Sequence, residues 1–289
     1  MVIPFAAGGF SDVVGRIVSQ KLSESLGQPV VNDNRPGASG LIGSEIVARA
    51  VPDGYTLLLS SFSHVVNPSL LRVPYDSIAD FSPISLIAQG PALVTMVSPA
   101  SSVKTVNDLI ELARGRNRLN FGSSGIGTSG HLIGELLAQA TGARMEHVPY
   151  RGTGASMAAI LSGEVAMVSA YMPVALPQIR SGRLRAVAVT GAKRSPQLPQ
   201  VPTMAESGIP QLVVSGFIGL LAPPQTPAPI IARLHADVVK LARDAEFAKR
   251  YAAFDMTPIL STPQELERFT REEIARWTRV VKTAGIKMP

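Results

Sequence analysis

The chain has 289 residues, 46% of them hydrophobic and 17% charged, with a formal net charge of +6 and no cysteine. That is the composition of a folded globular protein with room for one or two cores, and it excludes disulfides, thiol nucleophiles and cysteine-based metal sites. Lysine and arginine are dispersed, with no basic run interleaved with aromatics, which argues against nucleic acid, and no apolar run reaches the roughly 18 residues of a membrane helix.

The chain opens on an apolar strand, Val2-Ile3-Pro4-Phe5, with no charged and apolar leader pair ahead of it, so any export signal is expected to be missing from this sequence. A glycine loop follows, Ala6-Ala7-Gly8-Gly9-Phe10, and then an amphipathic helix over 11–26 with Ser11 as its expected N-cap and Gly27 as its stop. A short strand is expected at 29–32, a helix over 41–50 and a buried strand over 55–60 that ends in Ser60-Ser61-Phe62-Ser63. Strand–helix–strand alternation of this kind predicts a parallel sheet with helices on both faces.

An apolar strand at 92–97 leaves this first region, and a helix is expected over 106–113. Leu119-Asn120-Phe121 then runs into a second glycine loop, Gly122-Ser123-Ser124-Gly125-Ile126-Gly127-Thr128, and a helix that stops at Gly142. Strands at 146–150, 165–169 and 184–190 and a helix over 154–162 complete a second region, and the apolar segment 213–221 returns to the first. Helices are expected over 229–242, 246–251 and 263–283, the last with Thr262 and Glu265 at capping-box spacing. The expected domains are therefore lobe I over 1–98, lobe II over 99–220 and a return to lobe I over 221–289. Two crossing segments of this kind make a hinge, with closure around a ligand as its expected motion.

The strand–glycine loop–helix–glycine unit thus occurs twice, with Phe5 and Gly27 bounding the first copy and Phe121 and Gly142 the second. A glycine loop opening a helix leaves backbone N–H groups free at the positive end of the helix dipole, which suits an anion. Two copies in two lobes suit a carboxylate-sized ligand in a cleft. Gly125-Ile126-Gly127-Thr128-Ser129-Gly130 also spells a dinucleotide fingerprint, but the strand after it carries its acid, Glu146, at the start rather than at the end where a ribose is bound. No G-x-S-x-G occurs, and the four histidines lie in four separate segments, so serine chemistry has little support. His131 and Glu135 share a helix face, a pairing far more often a surface or capping contact than a cation site. Tyr150 and the Ser60-Ser61 pair stand at expected strand C-termini, where open α/β sheets bind ligands.

At these residues the chain resembles the tripartite tricarboxylate transporter receptors, the Bug family. The likeness runs through Pro4-Phe5-Ala6-Ala7-Gly8-Gly9-Phe10-Ser11-Asp12, Asn34-Arg35-Pro36-Gly37, Pro52-Asp53-Gly54-Tyr55, Val148-Pro149-Tyr150-Arg151-Gly152 and Ala222-Pro223-Pro224, and covers nearly the whole chain. It implies a two-lobed periplasmic-binding-protein-like α/β fold of type II, each lobe a mainly parallel sheet flanked by helices, with a ligand cleft between them. It further implies a periplasmic location, a small carboxylate ligand and a membrane permease of a tripartite transporter as partner. Carried over, Phe5, Ala7, Gly8, Gly9 and Asp12 form the first-lobe loop with Ser60 and Ser61 beside it, and Ser123, Gly127, Thr128 and Tyr150 come from the second lobe. Ala170 stands where many members carry an Asp that meets a ligand ammonium, and Ala166 where the family often has another, so the resemblance implies a ligand other than an amino acid.

The favoured reading is a monomeric receptor without catalysis, cofactor or metal. The alternative is an α/β enzyme, a hydrolase or nucleotide-dependent, that uses the Gly125–Gly130 loop.

Overall fold

The structure is a computed structural model and describes residues 1–115 and 118–286, so the end of the expected return to 289 lies outside the described residues. The chain divides into two compact units, one of Met1–Gly90 with the chain from Phe217 onward, the other of Pro91–Gly216. Both crossings run inside strands. The first, at Gly90–Pro91, lies within β4 (Ser82–Val97), and the second, at Gly216–Phe217, within β9 (Ser215–Ala222). The sequence reading placed them at 98 and 220 because Pro91 and the Gly90 turn signal obscure a strand that continues on both sides of them.

In the first unit, β1 (Val2–Ile3) pairs in parallel with β2 (Asp33–Asn34) and with β3 (Leu58–Ser60). The sheet continues through β9, antiparallel to β3, and the first half of β4, with β10 (Thr257–Pro258) on its far edge. The expected strand at 29–32 is not formed. Pro29 has no N–H to give a ladder, the Val30 N–H goes to the Ser23 hydroxyl, and Val2 instead pairs with Asp33.

Helix α1 (Phe10–Leu26) carries Val14, Ile17, Val18 and Leu22 at helical spacing and buries all four. Each such side chain contributes about 1.5–3 kcal/mol of burial free energy. Its N-cap is Gly9, with Ser11 inside the first turn rather than at the cap. Further round the unit lie α2 (Leu41–Ala48) and α3 (Phe62–Leu70). On the C-terminal side follow α8 (Ala228–Val239), α9 (Ala245–Ala252) and α10 (Pro263–Ala284). The capping box expected at Thr262 and Glu265 is present. Helix α10 packs on α3, where the Phe62 and Trp277 rings meet edge-on at 4.8 Å.

The second unit has strand order β8 (Arg185–Val189), β4, β7 (Met167–Tyr171), β5 (Leu119–Ser123) and β6 (Met145–Pro149). Here β5 is parallel to both β6 and β7, while β4 runs antiparallel to β7 and β8. Helices α4 (Val106–Arg114), α5 (Ser129–Thr141), α6 (Thr153–Ser162) and α7 (Met172–Arg180) flank the sheet. Its core includes Met157, Ile160, Val168, Met172 and Leu176. Among the described residues no helix is long and apolar enough to cross a membrane.

Candidate functional site

In each unit the candidate residues gather where parallel strands end and helices begin. In the first unit β1 and β3 are parallel neighbours, so the loops that leave them emerge at the same sheet edge. Phe5 is half-buried, Ala7 and Gly8 are exposed, and Gly9 is buried at the N-cap of α1 with no side chain capping it. Gly8 has φ +77°, in the left-handed region that favours glycine. Its N–H turns inward and donates to Asp12 Oδ2 at 2.9 Å, while Arg16 Nε donates to the same oxygen at 3.0 Å. Asn34, at the end of β2, donates from Nδ2 to the Phe5 carbonyl. Asp12 is 3% exposed. Burial opposes its ionisation, but the Gly8 N–H, the Arg16 guanidinium and the Asn34 amide outweigh burial and hold its carboxyl below the ordinary range. Ser60 ends β3 and Ser61 is the N-cap of α3, again without a side-chain cap.

Behind Ser61, His64 is buried among Tyr75 and Phe81 and its Nε2 meets the Ser77 carbonyl at 2.9 Å. A carbonyl only accepts, so the proton is on Nε2. Burial pushes this imidazole down to about 4, an effect that the Ser77 contact partly offsets.

In the second unit the loop after β5 repeats this construction with the same spacing. Gly127 has φ +77°, and the N-cap Thr128 adopts φ −80°, as Gly9 does. The Thr128 N–H bonds the Gly125 carbonyl at 3.3 Å, matching Gly9 and Ala6 at 3.3 Å. The Gly127 N–H turns inward and donates to His131 Nδ1 at 3.1 Å. His131 therefore stands to its loop as Asp12 stands to the first. The partner one turn on is also matched in place and reversed in charge: Arg16 beside Asp12, Glu135 beside His131 at 3.6 Å from Nε2.

A glycine seven residues past the left-handed one lets each helix press on its sheet. A Cβ at Gly15 would lie 2.8 Å from Leu59 and 2.9 Å from Ile3, and one at Gly134 2.0 Å from the Phe121 ring. A Cβ at Gly130 would lie 2.7 Å from the Ser169 carbonyl oxygen.

The base of the second loop is a cluster of rings and hydroxyls. His147 on β6 stacks on His131 with centroids 4.0 Å apart and on Phe121 at 5.1 Å. The Ser123 hydroxyl is 2.9 Å from the Gly125 carbonyl, 3.1 Å from the Gly125 nitrogen and 2.7 Å from His147 Nε2. The carbonyl can only accept, so it takes the single hydroxyl proton, and His147 donates from Nε2. Burial, and then the neighbouring His131, push the His147 imidazole down to about 3.

Two candidate residues have other surroundings. Tyr150 joins the edge by its backbone, its N–H donating to the Ser123 carbonyl at 3.0 Å. Its ring packs over Gly122 and against the unit's apolar core, and burial with the nearby Glu164 pushes its hydroxyl up to about 12. Ala170 lies on β7 opposite Val94, inside that core. Sequence reasoning missed the roles of His131 and His147. The first was read as a surface partner of Glu135, and the parallel register that sets Phe121 against His147 is what brings the two histidines together.

No acid ends β6, which closes on Val148-Pro149, so the Gly125–Gly130 fingerprint lacks its ribose ligand. Among the described residues no three His, Asp or Glu side chains converge as a metal site.

Residues 14–286 match the tripartite tricarboxylate transporter family receptor. The chain belongs to that family. Protein BugT of Bordetella pertussis (strain Tohama I / ATCC BAA-589 / NCTC 13251) is 38% identical over 292 residues, spanning 100% of this chain and 89% of BugT. The structure of the periplasmic binding protein BugD superimposes with a TM-score of 0.93 at 32% identity, covering 99% of this chain and 97% of that one. The structure of R. palustris Rpa4515 with adipate gives a TM-score of 0.94 at 34% identity, covering 99% and 97%. The fold is thus the two-lobed α/β fold of periplasmic binding proteins, and the family's solved members are solute-binding proteins.

Proposed function

We propose that this protein is an extracytoplasmic receptor that captures a small organic carboxylate and delivers it to the membrane permease of a tripartite tricarboxylate-type transporter. The observation that carries the reading is the pair of matched loops, Ala6–Asp12 and Gly125–His131. Each opens a helix with its inward N–H anchored one turn on and with no side chain capping the helix end. Uncapped N–H groups at a helix N-terminus favour a carboxylate. The adipate held by the relative Rpa4515 supports a linear dicarboxylate as the first ligand to try.

The receptor binds and does no chemistry. Ser123 and His147 have the separation of a nucleophile and its base, but the hydroxyl is 1% exposed and its proton is committed to a carbonyl. Nor does the ligand carry an ammonium. A buried ammonium needs a counter-charge, and Asp12, the one acid in the two loops, is already paired with Arg16 and the Gly8 N–H.

A thermal-shift panel of succinate, glutarate, adipate and malate, with aspartate, glutamate, NAD and ATP, tests this. A ligand at 100 times its Kd stabilises the fold by about 2.7 kcal/mol. The expected result is stabilisation by a dicarboxylate, with the matching amino acid weaker by about 2 kcal/mol for its unpaired ammonium. Stabilisation by nucleotide alone, or turnover of any compound, contradicts the receptor; tight binding of aspartate or glutamate contradicts only the exclusion of amino acids.

A further inference from the structure

We propose that His131 is a positioning residue for the second-unit ligand loop, its Nδ1 holding the Gly127 N–H inward. The proposal rests on the carboxylate reading above. A left-handed glycine can face its N–H either way, and something must hold it. In the first loop Asp12 Oδ2 does so at 2.9 Å. In the second, the Gly127 N–H at 3.1 Å is held by His131 Nδ1, which accepts only while it carries no proton. With that N–H turned inward and the Thr128 N–H on the Gly125 carbonyl, the Ser129 N–H follows at the open end of α5.

The ring is enclosed by groups from its own helix and from three strands. On its own helix, Glu135 Oε1 lies 3.6 Å from Nε2. From β6 comes His147, stacked at 4.0 Å and itself held neutral. From β5 come the Phe121 ring, at 6.5 Å, and the Ser123 hydroxyl beneath His147, neither of which titrates near neutrality. On β7, Tyr171 interacts with Ser129 in the first turn, and burial keeps its hydroxyl protonated.

Three variants separate this role from packing. Asn at 131 places its amide oxygen near the Nδ1 position and cannot be protonated. Leu fills space without an acceptor. Gln puts its amide nearer the Nε2 position and leaves the Nδ1 place empty, and serves if His131→Leu fails to fold. In the free protein labelled with 15N-glycine, Gly127 amide exchange is expected to be slow in the wild type and in His131→Asn, and fast in His131→Leu and His131→Gln. Gly8, held by Asp12, stays slow in all four. Calorimetry with succinate and adipate is expected to show a roughly tenfold loss of affinity at pH 8 in His131→Leu, the size of one hydrogen bond, most of it restored in His131→Asn. Equal Gly127 exchange in wild type, Leu and Gln overturns the proposal. If neither dicarboxylate binds the wild type while Gly127 exchange follows the expected order, the choice of ligand is wrong and the anchoring role of His131 stands.

Discussion

The Ala6–Asp12 and Gly125–His131 loops share a backbone and differ in the atom that secures it. Both place a left-handed glycine at φ +77°, turn its N–H inward, and stack their helix on the sheet through a glycine one turn beyond the anchor. In one loop the anchor is a carboxylate paired with Arg16; in the other it is an imidazole beside Glu135. The difference teaches that the geometry demands an acceptor four residues on and is indifferent to its charge. Charge is settled locally, because each anchor brings a partner of opposite sign. An anion site gains from this. A carboxylate in place of His131 would put a buried negative charge under the second helix end as well, and the imidazole avoids it.

The largest effect that can sharpen the comparison is at the stacking glycines. Both have the same job, but the second is far less tolerant. A Cβ at Gly134 would meet the Phe121 ring at 2.0 Å, whereas at Gly15 it would meet the mobile ends of Leu59 and Ile3 at 2.8 and 2.9 Å. Gly134→Ala is expected to cost at least about 3 kcal/mol in urea unfolding and Gly15→Ala about 1 kcal/mol, since overpacking strain scales with how little the neighbours can yield. Equal losses would mean that the two helices do not sit on their sheets in the same way.

Acid gives the next largest effect. His64 in the first unit is held neutral with its imidazole near 4, and His147 in the second near 3. Both are depressed below an unfolded value near 6.5, so their contribution is complete above pH 6.5. It is lost as pH falls, toward 4 for His64 and toward 3 for His147. At pH 5 the His64 share amounts to about 2 kcal/mol. Stability measured by urea unfolding should therefore drop between pH 7 and pH 5, and His64→Leu should flatten part of that slope. A profile flat over this range in the parent protein would contradict the burial of both rings.

Much of this arrangement was legible in the sequence. Gly27 and Gly142 cap α1 and α5 with φ +68° each, and Phe121 and the loop glycines stand where strand-then-helix patterning placed them. Helices α3 and α7 were not read. Pro68 lies inside one, and Pro173 and Pro177 lie in the other, where proline is normally a sign of a break. The first half of β4 was missed for a related reason, since Pro83 and Gly90 punctuate a strand that nevertheless runs for 16 residues. The site was legible as far as backbone chemistry goes. Glycine spacing marks the loops, but which acceptor holds each inward N–H depends on a side chain one turn away. The pairing of His131 with His147 depends on strand register, which one sequence does not display. Ala170 and the ring of Tyr150 were placed at the ligand by resemblance and lie in the apolar core of their unit.

The central claim is that the matched glycine loops bind a carboxylate. The direct test is a titration of 15N-labelled protein with the dicarboxylate that stabilises it most, followed at the amides of Gly9, Phe10 and Ser11 and of Thr128, Ser129 and Gly130. The account predicts that the amides of these loops shift saturably as the ligand is added. A ligand that stabilises the protein and moves neither set would contradict it.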